Sequence, residues 1–353
     1  MKKKLVGMLA TATLLTMALA GNVQAAEIRS VGPDGEAAVD ASTIELTDDQ
    51  IAQIKEGGYT AAICLHYGGN DWSTSQQKGL EDTFGELGIE IVAVTDANFS
   101  AETQVSNIET VMAKKPDILV SIPTADAYKQ AAAAGIKIVF MDQRADGLEA
   151  GKDYVSVVSA DNYGNGYASG TVLGDALGGK GKVAMVYYDA NFAPTNQRDE
   201  GFRDAMKNYP DIEIVTEQGF TDESGCAEQG DAILTQFPNI DGIYASWDVP
   251  MEGVLSAVRA AGMEGKVTLA CNDLGNNVAR EIASGNIAGG GAQMPYDQGV
   301  AEAKLAALAL LGEETPSYVA VPAETVTHEN VLEAYTDVYH VETPDWLKEA
   351  YVE

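Results

Sequence analysis

Six short polar runs in this 353-residue chain put planar hydrogen-bonding groups beside flat aromatic ones or at the ends of apolar segments. They are Asp71-Trp72, Asp142-Gln143-Arg144, Asp189 to Phe192 with Arg198 close behind, Ser246-Trp247-Asp248, Asn272-Asp273, and Gln293. Carboxylates, amides and guanidinium groups form paired hydrogen bonds, while Trp and Phe offer apolar planes. The mixture suits a sugar or polyol, whose hydroxyls stand at the ring edge and whose C–H groups form its face. Each acid also has a plainer use. Asp and Asn favour helix N-caps, so Asp71, Asp161 and Asp248 could simply begin helices, and Trp247 could be core.

Other chemistries fit less well. The chain has no Gly-Lys-Ser/Thr loop, and the glycines from Gly164 to Gly170 fall within a helical stretch rather than between a strand and a helix, so they are weak evidence for a dinucleotide. A Gly-x-Ser-x-Gly elbow is absent, and no histidine falls beside a serine and an acid. Two of the 53 Asp and Glu residues would suffice for a glycosidase, so a secreted carbohydrate-active enzyme is the rival reading, although no enzyme is expected. His66, His328 and His340 are far apart and Cys64, Cys226 and Cys271 share no short spacing. Neither a metal site nor a disulfide framework is predicted, nor any cofactor. Cys64 and Cys271 read as small buried hydrophobes of core strands.

The polar runs need elements that carry them to one place. Apolar runs alternate with helical segments from Tyr59 onwards: strand 59–66, helix 71–87, strand 89–95, helix 101–114, strand 117–122, helix 124–134 and strand 137–142. A second series begins after the strand 154–159 and runs to strand 287–293 and an alanine-rich helix 296–311. Such alternation predicts parallel sheets buried on both faces and wound by right-handed crossovers, an α/β chain of two comparable Rossmann-like halves rather than one ten-strand sheet. In open parallel sheets ligands lie beyond the carboxyl ends of the strands, which is where the polar runs fall. Residues 27–57 read as an acidic, weakly patterned leader with a short helix starting at Thr47.

Composition bounds the partners. Lys and Arg count 22 against 53 acids, a formal charge of -31, and three of the lysines stand at positions 2–4. So acidic a surface repels nucleic acid and anionic headgroups, so no nucleic-acid partner is expected. Those lysines, the apolar run from Leu5 to Ala20 and the small residues before Glu27 form a secretory signal peptide over residues 1–26, cleaved near Ala25 or Ala26. Asn22 stands where a lipoprotein would need its cysteine. An exported protein of the periplasm or cell envelope, soluble after cleavage, is expected.

Four stretches in order carry a family resemblance: 137–142 (KIVFMD), 195–202 (TNQRDEGF), 242–248 (GIYASWD) and 291–299 (GAQMPYDQG). With the signal peptide, they make the chain similar over about residues 58–330 to the type I periplasmic sugar-binding proteins of bacterial ABC transporters, the ribose- and galactose-binding class. The resemblance implies two lobes joined by three crossing segments: residues 58–160 and 290–318 in lobe one, 161–289 and 319–353 in lobe two with the tail. It implies a monomer that closes over one small sugar or polyol and hands it to the membrane subunits of an ABC permease, or presents it to a chemoreceptor or sensor kinase. Carried across, Trp72 takes the place of an aromatic that stacks on the sugar, Asp142 that of the acid after the fourth strand, and Arg198 that of an arginine gripping its oxygens. Phe220, Asp273 and Gln293 match an aromatic, an acid and an amide of the same pocket. Asp71, Arg144, Trp247 and Asp248 complete the candidate ligand-binding set. Gln143 stands where the family has an arginine, with Arg144 one place later, and Trp247 replaces the asparagine usual in ribose binders, departures that bear on ribose as the ligand.

Overall fold

The computed structural model describes residues 28–125 and 127–352. The expected signal peptide, residues 1–26, lies outside them. Two sheets form, each with helices on both faces. The first contains β1 (Val39–Asp40), β2 (Thr60–Leu65), β3 (Glu90–Asp96), β4 (Ile118–Ser121), β5 (Lys137–Met141), β6 (Ser156–Ala160) and, much later in the chain, β12 (Tyr318–Val321). The second contains β7 (Lys180–Tyr188), β8 (Asp211–Phe220), β9 (Gly242–Ala245), β10 (Thr268–Cys271), β11 (Gly289–Ala292) and β13 (Glu324–Thr327). Their orders, β1-β12-β6-β5-β4-β2-β3 and β13-β11-β10-β9-β7-β8, repeat one pattern, with β2 to β6 in the first corresponding to β7 to β11 in the second. The strands are parallel except β13, which runs antiparallel to β11. An antiparallel edge on a parallel sheet is common, and here it follows from a two-residue connection out of β12 that leaves no room for a crossover helix.

The central strands are apolar on both faces because helices cover both. Those helices are α1 (Asp48–Gly57), α2 (Asp71–Glu86), α3 (Ala101–Lys114), α4 (Lys129–Ala133) and α10 (Pro295–Leu310) on lobe one, and α5 (Asn162–Ala176), α6 (Ala193–Met206), α7 (Cys226–Gln236), α8 (Asp248–Ala260), α9 (Asn276–Ala283), α11 (Val331–Tyr339) and α12 (Asp345–Ala350) on lobe two. Among the described residues no helix is long and apolar enough to cross a membrane. The three cysteines are buried and free, and burial pushes the Cys64 and Cys226 thiols up to about 11. The glycine series in α5 serves packing. A side chain at Gly166 would meet the Arg198 carbonyl at 1.8 Å, and one at Gly201 the Tyr163 carbonyl at 2.1 Å, so these two glycines let α5 and α6 touch backbone to backbone.

Several expected boundaries move. β11 pairs with β10, which puts residues 290–292 in lobe two, and β12 pairs with β6, which moves 319–321 into lobe one beside Tyr318. The chain therefore crosses between sheets at 161, at 293–294 and at 322–323. The helix expected over 124–134 is reduced to Lys129–Ala133. The leader is more built than its composition suggested. Thr47 and Gln50 close a capping box on α1, and β1 adds an edge strand beside β12. Upstream, the backbone N–H groups of Arg29 and Ser30 donate to the Asp161 carboxylate at the first crossing (3.1 and 2.8 Å), and the Arg29 guanidinium lies 4.2 Å above the Tyr167 ring of lobe two. Asp34 of the same segment pairs with Arg144 of lobe one at 2.9 Å, so this segment straps both lobes beside the hinge.

Candidate functional site

The carboxyl ends of the two sheets face each other across a cleft of about 1110 Å³. Asp142 follows β5 and Asp273 follows β10, equivalent strands of the two lobes. Both acids adopt the left-handed backbone (φ 59° and 68°), and each donates its N–H one strand across, to Val158 O and Gly291 O. Side chains at this turn are thereby aimed off the sheet edge into the cleft.

A continuous set of hydrogen bonds joins these two acids through the hinge. Ser159 Oγ donates to Asp142 Oδ1 (2.8 Å), Asn162 Nδ2 donates to Ser159 Oγ (3.0 Å), and Arg198 Nε donates to Asn162 Oδ1 (2.8 Å). Arg198 Nη1 reaches Asp273 Oδ2 (3.2 Å) and Ser246 O (3.3 Å), while Gln293 Nε2 donates to Asp273 Oδ1 (2.7 Å). Arg198 is buried and its fork is shared among three acceptors, a geometry a lysine cannot reproduce. Gln298 Nε2 gives Asp142 a second donor at 3.0 Å. Burial nonetheless raises the Asp142 carboxyl above its usual range, the bonds from Ser159 and Gln298 opposing the shift. Behind it, Glu302 is fully buried and accepts from Gln76 Nε2 (2.7 Å). Burial first, then the nearby Asp142 charge, holds the Glu302 carboxyl well above the carboxylate range.

Aromatic groups line the rest. Trp247 of lobe two packs against Tyr188 and Phe220 (ring centroids 5.5 and 5.0 Å). Trp72 and His66 line lobe one, with the Trp72 Nε1 and His66 Nδ1 atoms buried and unpaired within the protein. Burial lowers His66 to about 4, so its imidazole is neutral at ordinary pH. Its ring stacks at 6.1 Å on Phe192 of the opposite lobe, which brings the lobes into contact.

Of the ten candidate residues, Trp72, Asp142, Arg144, Arg198, Trp247, Asp273 and Gln293 line the cleft together. Three do not. Asp71 turns sideways: its two carboxylate oxygens accept from the backbone N–H and the side-chain amide of Asn276 in lobe two, both at 2.8 Å. Asp248 is buried and accepts from the N–H groups of Val249 (2.8 Å) and Gly275 (3.0 Å), pinning the start of α9. Burial, with the Asp273 charge adding to it, raises its carboxyl. Phe220 lies behind Trp247 as its support. Neither Asp71 nor Asp248 supplies the capping side chain of its helix, whereas Asp161 does cap α5. His66 and Phe192 enter the site without having been candidates. His66 directly follows β2 and Phe192 lies in the run after β7, and position alone was the signal that could have found them.

Comparisons with known proteins place this architecture. The D-allose-binding periplasmic protein of Escherichia coli is 27% identical over 259 residues, 69% of this chain and 82% of that protein. The D-ribose/D-allose-binding protein of Pseudomonas aeruginosa is 29% identical over 273 residues, 73% of this chain and 83% of the relative. Among solved structures, an ABC transporter periplasmic solute-binding protein from Actinobacillus succinogenes with bound D-allose superposes with a TM-score of 0.71 at 28% identity, covering 77% of this chain and 99% of the other. A solute-binding protein from Agrobacterium vitis bound to α-D-tagatopyranose gives 0.73 at 25% identity, covering 81% of this chain and all of its own. The family model described as periplasmic binding protein domain matches residues 61–314, and the chain belongs to that family.

Proposed function

We propose that this chain is an exported solute receptor that captures a small neutral sugar or polyol between its lobes and delivers it to the membrane subunits of an ABC importer, acting as a monomer. The observation that carries the reading is the Arg198–Asp273–Gln293 constellation facing Asp142 across a cleft walled by Trp72 and Trp247. Planar donors and acceptors held by one another meet ring hydroxyls without reorganising, and the indole faces cover the C–H surface. The relatives and structural neighbours that bind D-allose, D-ribose and tagatose support the same ligand class. Binding rather than catalysis is the natural use of these acids. Asp142 and Asp273 are each tied by two side-chain donors, which holds them as acceptors of ligand hydroxyls rather than as free proton shuttles.

A thermal-shift screen of the chain from Glu27 onwards tests this. Pentoses, hexoses and polyols are compared with amino acids and nucleosides, since a ligand that binds only the folded state raises the unfolding midpoint by mass action. Sugars or polyols should shift the midpoint and the others leave it in place. Stabilisation by amino acids or nucleosides alone would overturn the assignment.

A further inference from the structure

The cleft is larger than the ligand class requires. Even allowing each of the twelve heavy atoms of a hexose the roughly 30 Å³ of a liquid water molecule, one ring fills about 360 Å³, a third of the 1110 Å³ present. The lining includes, besides Trp72, Asp142, Arg198 and Trp247, a second aromatic group with its own construction. On lobe one, Tyr67 and Phe99 stack on each other at 4.4 Å and 22°. Phe99 is half exposed, a rarity for a phenylalanine in this protein. It is not there by looseness of the loop. Asn98 and Phe99 both hold left-handed backbone conformations (φ 47° and 59°), the Phe99 N–H donates to His66 O at 2.7 Å, and the Asn98 N–H donates to Asp96 Oδ1 at 2.7 Å. A bulky residue in that conformation is strained, and the surrounding hydrogen bonds keep it so. Asp222 and Glu223 of lobe two and Gln143 of lobe one line the same cleft, the Gln143 amide nitrogen bound to Pro123 O (2.8 Å). Burial first, then the nearby Glu223 charge, raises the Tyr67 phenol.

Resting on the sugar-receptor reading above, we infer that the cleft has an outer subsite, with Tyr67 and Phe99 as its stacking platform, that takes a second sugar ring, so that the cognate ligand is a disaccharide or a short glycoside rather than a single monosaccharide. The outer wall repeats the composition of the inner one, an aromatic plane with amides and carboxylates around it, which is the chemistry of a polyhydroxylated ring rather than of an apolar aglycone.

Calorimetric titration with matched sugars decides the matter: glucose against cellobiose and maltose, galactose against lactose and melibiose, xylose against xylobiose. At least one disaccharide should bind about tenfold or more tightly than its own monosaccharides, a difference of about 1.4 kcal/mol. Phe99→Ala should reduce that disaccharide to the monosaccharide level while leaving monosaccharide affinity within about twofold. Phe99→Gly, which accepts the left-handed backbone without strain, should do the same and keeps the test independent of folding. Monosaccharides binding as tightly as every disaccharide, or Phe99 variants weakening both equally, would overturn the outer subsite and leave the receptor reading standing. Failure of sugars of either size to bind the unsubstituted protein would overturn both.

Discussion

The two walls of the cleft are built on the same sheet plan but prepared differently. On lobe two, Arg198 and Asp273 are locked to each other and to Asn162, Ser246 and Gln293 before anything enters. On lobe one, the His66 imidazole and the Trp72 indole each carry a buried nitrogen with no partner in the protein. A polar group buried without a partner is destabilising by about 1–3 kcal/mol. Among the described buried atoms that line the cleft on lobe two, only the Gln293 amide oxygen is left without a partner, whereas on lobe one two ring nitrogens stay open even with His66 in contact with the opposite lobe. The difference teaches that lobes of equal fold need not be prepared equally: the charged pair of lobe two is bonded in advance, and lobe one keeps more of its polar capacity open.

Removing Arg198 should have the largest effect. Arg198→Ala leaves Asp273 and Asn162 facing an emptied, buried position, and should lower stability in urea titration by about 3 kcal/mol as well as abolishing measurable sugar binding. Arg198→Lys should rescue neither, because one ammonium cannot serve three acceptors. If Arg198→Ala unfolds at the urea midpoint of the parent, the charged pair of lobe two is not bonded in advance.

His66 sharpens the contrast from the other wall and by pH. Its folded value of about 4 lies below the ordinary histidine value near 6.5, so the unfolded chain takes up a proton that the folded chain refuses. Its contribution is fully present above about pH 6.5 and is lost as pH falls towards 4, by about 3 kcal/mol over that window. His66→Phe keeps the ring stack on Phe192 and should flatten this acid limb of the stability profile. An unchanged limb in the variant would mean that His66 takes up its proton as freely in the folded state as in the unfolded one.

The smallest expected effect belongs to Asp71, which touches neither wall. Its bonds to Asn276 join α2 to α9 and exist only while the lobes are together. Asp71→Ala should weaken ligand binding about fivefold, near 1 kcal/mol, by disfavouring the closed form, and should enlarge the radius of gyration of the unliganded protein in solution scattering. Loss of all binding in Asp71→Ala would instead make it a ligand contact after all.

Asp71 also marks where sequence reading reaches its limit. Strand-end position brings Trp72, Asp142, Arg198, Asp273 and Gln293 to one cleft, because a parallel sheet sends those residues to one edge whatever the loops do. Asp71 and Trp72 are neighbours, yet successive helical residues point about 100° apart, so one enters the cleft and the other the lobe contact. The choice depends on where α9 lies, and local sequence does not record it. Asp248 and Phe220 stay outside the cleft lining for the same reason, being of the right type and at the right edge but turned into the packing. β12 and β13 were illegible in another way. They are four-residue strands separated only by Pro322 and Ala323, too short to show a period, and they belong to different sheets.

Asp142 and Asp273 share one further property, their left-handed backbone. For an L-residue that conformation is less favourable by about 1 kcal/mol, and glycine would escape the penalty at both turns. The side chains offset that penalty: Asp273 accepts from Arg198 and Gln293, and Asp142 from Ser159 and Gln298. A glycine at 273 would relax the turn and leave the Arg198 guanidinium buried beside an empty position, a loss of about 3–5 kcal/mol against a gain of about 1. The two turns are thus places where a locally unfavourable backbone is held by the bonds its own side chain makes, so the shape of the cleft edge and the stability of the hinge network stand or fall together.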